Sequence, residues 1–230
     1  MLIIIDARVP EGAKSKLRRY GGLMELETMG ITYPAISGHP DIFFTPTEKL
    51  LVVAPDVPAK YLRILDQHKI CWQHGNRPVG PEYPGSAIYN AAVAENLIVH
   101  NLNITDKEIL NQLPGAKNIH VAQGYTRCNL VILNKSMAIT SDRGIQKKLI
   151  AEGIEVLYAD PSQIRLPGFS HGFFGGTCGT GDAYLFIFGN LDSIPQGREI
   201  REFTARAGLT TVELCNTPLF DGGSIFCLNR

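Results

Sequence analysis

The sequence predicts one α/β domain, a five-bladed α/β propeller whose units each run strand, strand, helix, strand around a ring. Three observations predict it. The same order of apolar run, tight turn, second apolar run, polar boundary and helix-length stretch recurs four times. A fifth copy is divided between the chain ends. Sharing 230 residues among five units leaves 46 each, enough for three strands, a helix and their loops.

The unit at 39–74 has apolar runs 41–44 and 50–54 about a turn at Pro46-Thr47-Glu48-Lys49. Asp56 then precedes a helix over 58–69 and a strand over 68–72. The unit at 86–122 has runs 87–93 and 97–100 about Glu95-Asn96, Asp106 before a helix over 107–113, and a strand over 118–122. In the unit at 128–158 the runs 128–133 and 137–140 flank Asn134-Lys135-Ser136; Asp142 precedes a helix over 145–152 and a strand over 155–158. In the unit at 173–214 the runs are 175–181 and 183–188, with Asp192 and Ser193 before a helix over 198–207 and a strand over 210–214. The fifth unit joins 224–230 to 1–28: strands 224–228 and 2–5, Asp6, a helix over 11–20, and a strand over 23–28.

An Asp or Ser ahead of each helix offers a side-chain oxygen to the free N–H groups of the first turn. Gly115, Gly153 and Gly208 after the last turn permit a left-handed exit. Pairing of the terminal strands would close the ring and leave no unit with an open inner edge. A doubly wound parallel sheet accommodates the helices but not the tight hairpins, because parallel neighbours need long crossovers.

Lys plus Arg and Asp plus Glu number 22 each, so no overall field draws the chain to nucleic acid or an anionic membrane. No stretch approaches the roughly 20 apolar residues of a membrane span, and the opening run meets Asp6 at once, so a cytoplasmic protein handling a small molecule is expected. A homodimer is compatible with the sequence, which leaves the oligomeric state open. Five widely spaced cysteines without Cys-x-x-Cys or Cys-His clustering predict reduced thiols rather than a disulfide framework or zinc site. No cofactor motif is present: the stretch 175–181 is Gly-rich but lacks the Gly-Lys-Ser/Thr ending of a phosphate loop, and no cofactor is expected.

The ending Asp221-Gly222-Gly223-Ser224-Ile225-Phe226-Cys227-Leu228 resembles the Gly-Gly-x-x-x-Cys motif of the guanidino-modifying enzymes, the pentein superfamily of deiminases, dimethylarginine hydrolases and amidinotransferases. The five-unit reading extends the resemblance over essentially the whole chain, as an uncharacterised branch. The resemblance implies that Cys227 attacks a planar amidine or guanidine carbon, forming a covalent thiol intermediate that water or an acceptor resolves. Glycines beside the thiol let substrate and backbone approach closely. The reading from residues alone leaves Cys227 open as a core cysteine between Phe226 and Leu228.

Relatives carry His-x-Asp in the fourth unit, where this chain reads Gly175-Gly176-Thr177-Cys178-Gly179. His171, in the loop just before, is the substitute proton-transfer residue, and His39 is the second candidate. Gly38-His39-Pro40-Asp41 sits where relatives place an aspartate that grips the guanidinium, so Asp41 is expected to bind substrate. A turn acid after proline is the plainer alternative. The third unit has Gln123-Gly124-Tyr125-Thr126-Arg127-Cys128-Asn129 where relatives have an acidic Glu-Gly-Gly stretch. Arg127 and Asn129 are therefore expected at the substrate, and an inward Arg127 would favour an anionic group; a surface arginine at the mouth of a hairpin is the plainer alternative. Cys178 joins them, since Cys128, Cys178 and Cys227 hold comparable places and would ring one end of the channel. The function implied is a cysteine-dependent hydrolase or transferase acting on a C–N bond of an amidine or guanidino compound. The alternative is a catalytically inactive member of the same fold that binds a small molecule or a protein.

Overall fold

The computed structural model describes residues 1–229, and the unit boundary placed at residue 230 lies outside them. Among the described residues there are five three-stranded sheets, all built alike: a central strand pairs antiparallel with one neighbour and parallel with the other. The sheets, each written from antiparallel neighbour through centre to parallel neighbour, begin with β15 (Phe226–Leu228), β1 (Leu2–Asp6) and β2 (Gly22–Leu26). Next come β3 (Phe44–Pro46), β4 (Leu51–Val53) and β5 (Trp72–His74), then β6 (Ala92–Ala94), β7 (Leu97–His100) and β8 (Lys117–His120). The last two are β9 (Leu130–Asn134), β10 (Met137–Thr140) and β11 (Glu155–Tyr158), and β12 (Cys178–Gly181), β13 (Tyr184–Ile187) and β14 (Thr210–Glu213). The chain ends do meet, with Leu2 opposite Leu228, Ile3 opposite Cys227 and Ile4 opposite Phe226.

Each crossover from a central strand to its parallel neighbour carries a helix: α1 (Glu11–Leu17), α3 (Ala59–Gln67), α4 (Lys107–Gln112), α6 (Arg143–Ala151) and α7 (Gly197–Arg206). The central strands are continuous apolar runs because both of their faces are covered. In β1, Leu2 and Ile4 join one core cluster, while Ile3 and Ile5 join another. The helices bury residues at helical spacing, Tyr61 and Leu65 in α3, Ile145 and Leu149 in α6, Ile200 and Phe203 in α7. Each such side chain contributes about 1.5–3 kcal/mol. β15 packs beside β12, β12 beside β9, β9 beside β6 and β6 beside β3. The step from the last unit back to the first is made by the Asp41 N–H donating to Gly223 O at 3.2 Å.

Local structure departs from the sequence expectation in two ways. The first apolar run of several units does not begin as a strand. It begins as a helical turn, α2 (Pro40–Phe43), α5 (Thr126–Asn129), or a 3-10 turn at Gly85–Ala87 and Gly175–Thr177. Pro40 opens α2 with its preset φ, and the strand that follows is only three residues long. The helix caps also differ. Asp106 and Asp142 do cap, accepting from Glu108 N at 3.0 Å and Ile145 N at 2.9 Å. Asp6, Asp56 and Asp192 do not. The chain enters α1 and α3 through Pro10 and Pro58, which supply no side-chain cap and leave those aspartates free for other partners. Asp56 accepts from Val79 N, and Asp192 pairs with Arg201. Gly153 and Gly208 take the left-handed exit as expected, Gly115 does not, and after α3 the same exit is made by Lys69 at φ 58.

Candidate active site

The turns that precede the inner strands carry polar side chains to the middle of the molecule. Unit one supplies His39 and Asp41 through α2, and unit two supplies Asn90 from the residues before β6. Unit three supplies Cys128 from α5, and the C-terminal segment supplies Asp221 and Ser224 ahead of β15. All six are buried, together with Asp6 at the end of β1.

Asp41 is the hub. Its Oδ2 accepts from Ser224 Oγ at 2.5 Å and from the Cys128 thiol at 3.1 Å, while its Oδ1 is buried without any hydrogen-bond partner. Asn90 clamps the cysteine from the other side. Its Nδ2 donates to Cys128 Sγ at 3.1 Å and to Asp41 O at 3.0 Å, and its Oδ1 accepts from Cys128 N at 3.1 Å. Ser224 adopts φ 74, a left-handed conformation costly for a residue with a Cβ; its hydroxyl also lies 3.2 Å from Gly175 O. Gly223, just before it, has φ 69, and a Cβ there would lie 2.1 Å from that of His39.

The His39 ring lies between two carboxylates, with Nδ1 3.9 Å from Asp221 Oδ1 and Nε2 4.0 Å from Asp6 Oδ2. Nδ1 is buried without a hydrogen bond. Asp221 is anchored by the N–H groups of Phe173 and Gly223, both at 3.0 Å, and burial, with Asp41 adding to it, holds its carboxyl above the usual range. Asp6 is paired with Arg8 at 2.5 Å. A cavity of about 330 Å³ opens on Asp6, Arg8, His39, Arg165, Asp221 and Gly222, with Pro10, Pro167, Pro218 and Phe220 among its apolar walls. Two tyrosines stand near the cluster. The Tyr33 and Tyr125 hydroxyls are 2.8 Å apart, Tyr125 continues to Ser86 Oγ at 2.6 Å, and burial raises both phenols, with Cys128 adding to each.

The residues expected from sequence fall into three places. His39 and Asp41 lie in this cluster. Cys227 lines a separate cavity of about 150 Å³ with Arg127, Thr180 and Phe226, which shares no lining residue with the larger one. Burial pushes the Cys227 thiol up to about 12, and no hydrogen bond joins it to a histidine or carboxylate among the described residues. Arg127 does point inward, yet its guanidinium is engaged by the carbonyls of Gly175 at 3.0 Å, Cys178 at 3.1 Å and Leu130 at 3.3 Å. Asn129 is taken up by Tyr125 O and Ser141 Oγ, both at 2.9 Å. The Cys178 thiol is buried against Phe174 O at 3.4 Å and pushed to about 12 by burial. His171 is half-buried, its Nδ1 2.9 Å from Gly172 O and its ring edge-on to Phe173. The three thiols therefore have separate partners, all five cysteines are free, and no metal-binding cluster is found among the described residues.

Asp6, Asn90, Asp221 and Ser224 carried no assigned role in the sequence. Asp221 and Ser224 were within reach, as members of the C-terminal motif. Asp6 reads as a helix cap, and nothing in the sequence marks Asn90.

The architecture and its axial polar cluster define a pentein-type α/β propeller. Among solved structures the chain is similar to "SxtG an amidinotransferase from the Microseira wollei in Saxitoxin biosynthetic pathway", at 11% identity and TM-score 0.55 over 94% of this chain and 88% of that one. It is similar to a dimethylarginine dimethylaminohydrolase from Pseudomonas aeruginosa complexed with citrulline, at 10% identity and TM-score 0.54 over 92% and 91%. A C. jejuni agmatine deiminase matches at 9% identity and TM-score 0.52 over 93% and 74%. At such identities the likeness is one of fold. Residues 4–226 match the model of the "Family of unknown function (DUF6873)", and the chain belongs to that family. No curated protein matches the sequence.

Proposed function

We propose that the axial cluster binds the cationic head of an amidine or guanidino small molecule and that the protein is a hydrolase or transferase acting on its C–N bond through a covalent thiol intermediate. One observation carries this reading. Asp41 and Asp221 are buried, His39 lies 3.9 Å from Asp221, no lysine or arginine pairs with either carboxylate among the described residues, and Asp41 Oδ1 and His39 Nδ1 are left without partners. Buried carboxylates are costly unless paired, and a planar cation with several N–H donors would satisfy them. His39, which lines the cavity between two carboxylates, is the group to pass a proton to a departing amine. Asp41 anchors the cation. His171, whose ring meets Phe173 edge-on, takes neither role in this reading.

The test is a titration of the full chain with arginine, agmatine and methylated arginines, followed by heat of binding and by release of ammonia or amine. At least one should bind, Asp221→Asn should weaken it tenfold or more, and product should accumulate. Binding without turnover would make the protein a small-molecule binding module. No binding by any cation in the panel would remove the reading altogether.

A further inference from the structure

The geometry points to Cys128, with Asp41 as its proton acceptor, as the reacting pair of this protein, in place of the cysteine that the C-terminal motif marks. This rests on the cation-binding reading of the axial cluster. Two independent observations carry it. First, the Cys128 Sγ is the only sulfur among the described residues that hydrogen-bonds a carboxylate, at 3.1 Å from Asp41 Oδ2. The same carboxylate has a second oxygen, fully buried and unpartnered, left to receive a ligand N–H. Second, the surroundings hold this thiol rather than merely enclosing it. Asn90 grips both its sulfur and its backbone N–H, and Ser224, held in a left-handed conformation, fixes Asp41 Oδ2 at 2.5 Å. Strain of that kind is usually kept where geometry serves chemistry. Cys227 has none of this: it lines the smaller cavity beside Arg127, whereas His39 and Asp221 line the larger one.

The step balances within the cluster. The Cys128 proton passes to Asp41 Oδ2, and the sulfur lone pair forms a C–S bond to the amidine carbon as the C=N π pair moves onto nitrogen. The C–N bond to the leaving amine then breaks, and the amine departs with a proton from His39. Water, giving one proton back to His39, adds to the resulting S-linked amidinium. The C–S bond breaks, and the thiolate recovers its proton from Asp41. Burial and the neighbouring carboxylates hold the resting thiol well above its ordinary range, which disfavours the thiolate while no ligand is bound. An arriving cation opposes both effects, coupling activation of the sulfur to substrate binding.

The probe is 2-chloroacetamidine, a planar cation whose chloride is displaced by a thiolate, compared with neutral 2-chloroacetamide on the full wild-type chain, the modified cysteine being located by peptide mass spectrometry. Cys128 should be modified at least tenfold faster than Cys227 by the cation, with the neutral analogue at least tenfold slower at the same residue. Cys227→Ser should label as wild type, and Asp41→Asn should lose the preference for the cation. Modification of Cys227 ahead of Cys128 overturns the proposal. So does equal labelling of Cys128 by cation and neutral analogue, or an unmodified Cys128 in a chain that still binds guanidino compounds. That last result leaves the cation site standing, whereas absence of cation binding would sink the Proposed function itself. Mapping on the wild-type chain does not depend on whether Cys128→Ser folds.

Discussion

Gly176→Ala should damage both the fold and the site, by an amount the structure sets. A Cβ built on Gly176 would lie 2.0 Å from Asp221 Oδ1 and 2.4 Å from its Cγ, where real contacts stay beyond 3.0 Å. The carboxylate has no room to yield, since it is fully buried and held by the N–H groups of Gly223 and Phe173 at 3.0 Å each. Moving Oδ1 away by an ångström or more breaks at least the Gly223 bond. A hydrogen bond to a charged group contributes about 1.5–3 kcal/mol, and overpacking adds about 1–3 kcal/mol. A loss of about 2.5–6 kcal/mol is expected, a large share of the roughly 5–15 kcal/mol that holds a domain together. Urea unfolding followed by far-UV circular dichroism measures it. Gly12→Ala is the matched control: in α1 an added Cβ meets nothing within 4 Å, and alanine there should gain about 0.5–1 kcal/mol. A Gly176→Ala loss below about 1 kcal/mol would refute the rigid placement of Asp221, and with it the geometry given to His39.

Other perturbations test separate parts of the structure. His100 is buried between Thr105 Oγ1 and Gly124 O at 2.8 Å each, and burial lowers it to about 4. The unfolded chain takes up this proton near pH 6.5 and the folded chain only near 4. The stabilisation is therefore intact above 6.5 and falls by about 3 kcal/mol as pH drops to 4; His100→Asn should flatten that slope in unfolding curves. Asp106→Ala should cost several times more than Asp142→Ala in the same assay. Asp106 accepts from the N–H groups of Asn76, Arg77 and Glu108, whereas Asp142 caps one helix at about 1 kcal/mol. Arg127→Lys should lower stability by about 1.5–3 kcal/mol, because a lysine cannot reproduce the fork that ties Gly175, Leu130 and Cys178; an unchanged melting curve would show those contacts to be dispensable.

The five-unit plan was legible because its carriers are long-range regularities: central strands apolar on both faces, short hairpin turns, and one helix per crossover. The starts of the inner strands were not, because a helical turn of three or four residues is shorter than any period that hydrophobic patterning can register. That is also where the site is made. His39 and Asp41 stand out because Gly38-His39-Pro40-Asp41 resembles the segment where relatives place a guanidinium-gripping aspartate; the residues alone leave Asp41 open as a turn acid after proline. Asp6 looked like a cap for α1, and only the entry of that helix through Pro10 frees it to face His39. The C-terminal motif shows how narrow the margin is. Along β15, Phe226 and Cys227 point to opposite faces, Phe226 into the core with Leu2 and Ile4, Cys227 towards Ile3 and the cluster holding Phe186. Strand alternation makes a one-residue difference in count a change of side, and a Gly-Gly-x-x-x-Cys spacing does not reveal which side faces the axis.

What remains to be explained physically is why a fold with so much apolar surface to bury keeps Asp41 and Asp221 inside it. Asp6 has its arginine, but neither of these two pairs with a lysine or arginine among the described residues, and the contacts of His39 with Asp221 at 3.9 Å and Asp6 at 4.0 Å are too long to be hydrogen bonds. Stability alone would favour their replacement by apolar groups of the same shape, which is often neutral or better by about 1–4 kcal/mol. The strained Ser224 and the glycine at 223 add further cost in the same few residues. Costs concentrated at one spot, with His39 Nδ1 unpartnered in a residue that lines an open cavity and Asp41 Oδ1 unpartnered in the interior, are those expected of a site that a ligand would complete under the proposed reading. A guanidinium or amidinium brings a positive charge and a planar set of donors, the two things the cluster lacks. Under the proposed mechanism the same deficit would tie ionisation of the buried Cys128 thiol beside Asp41 to arrival of the cation.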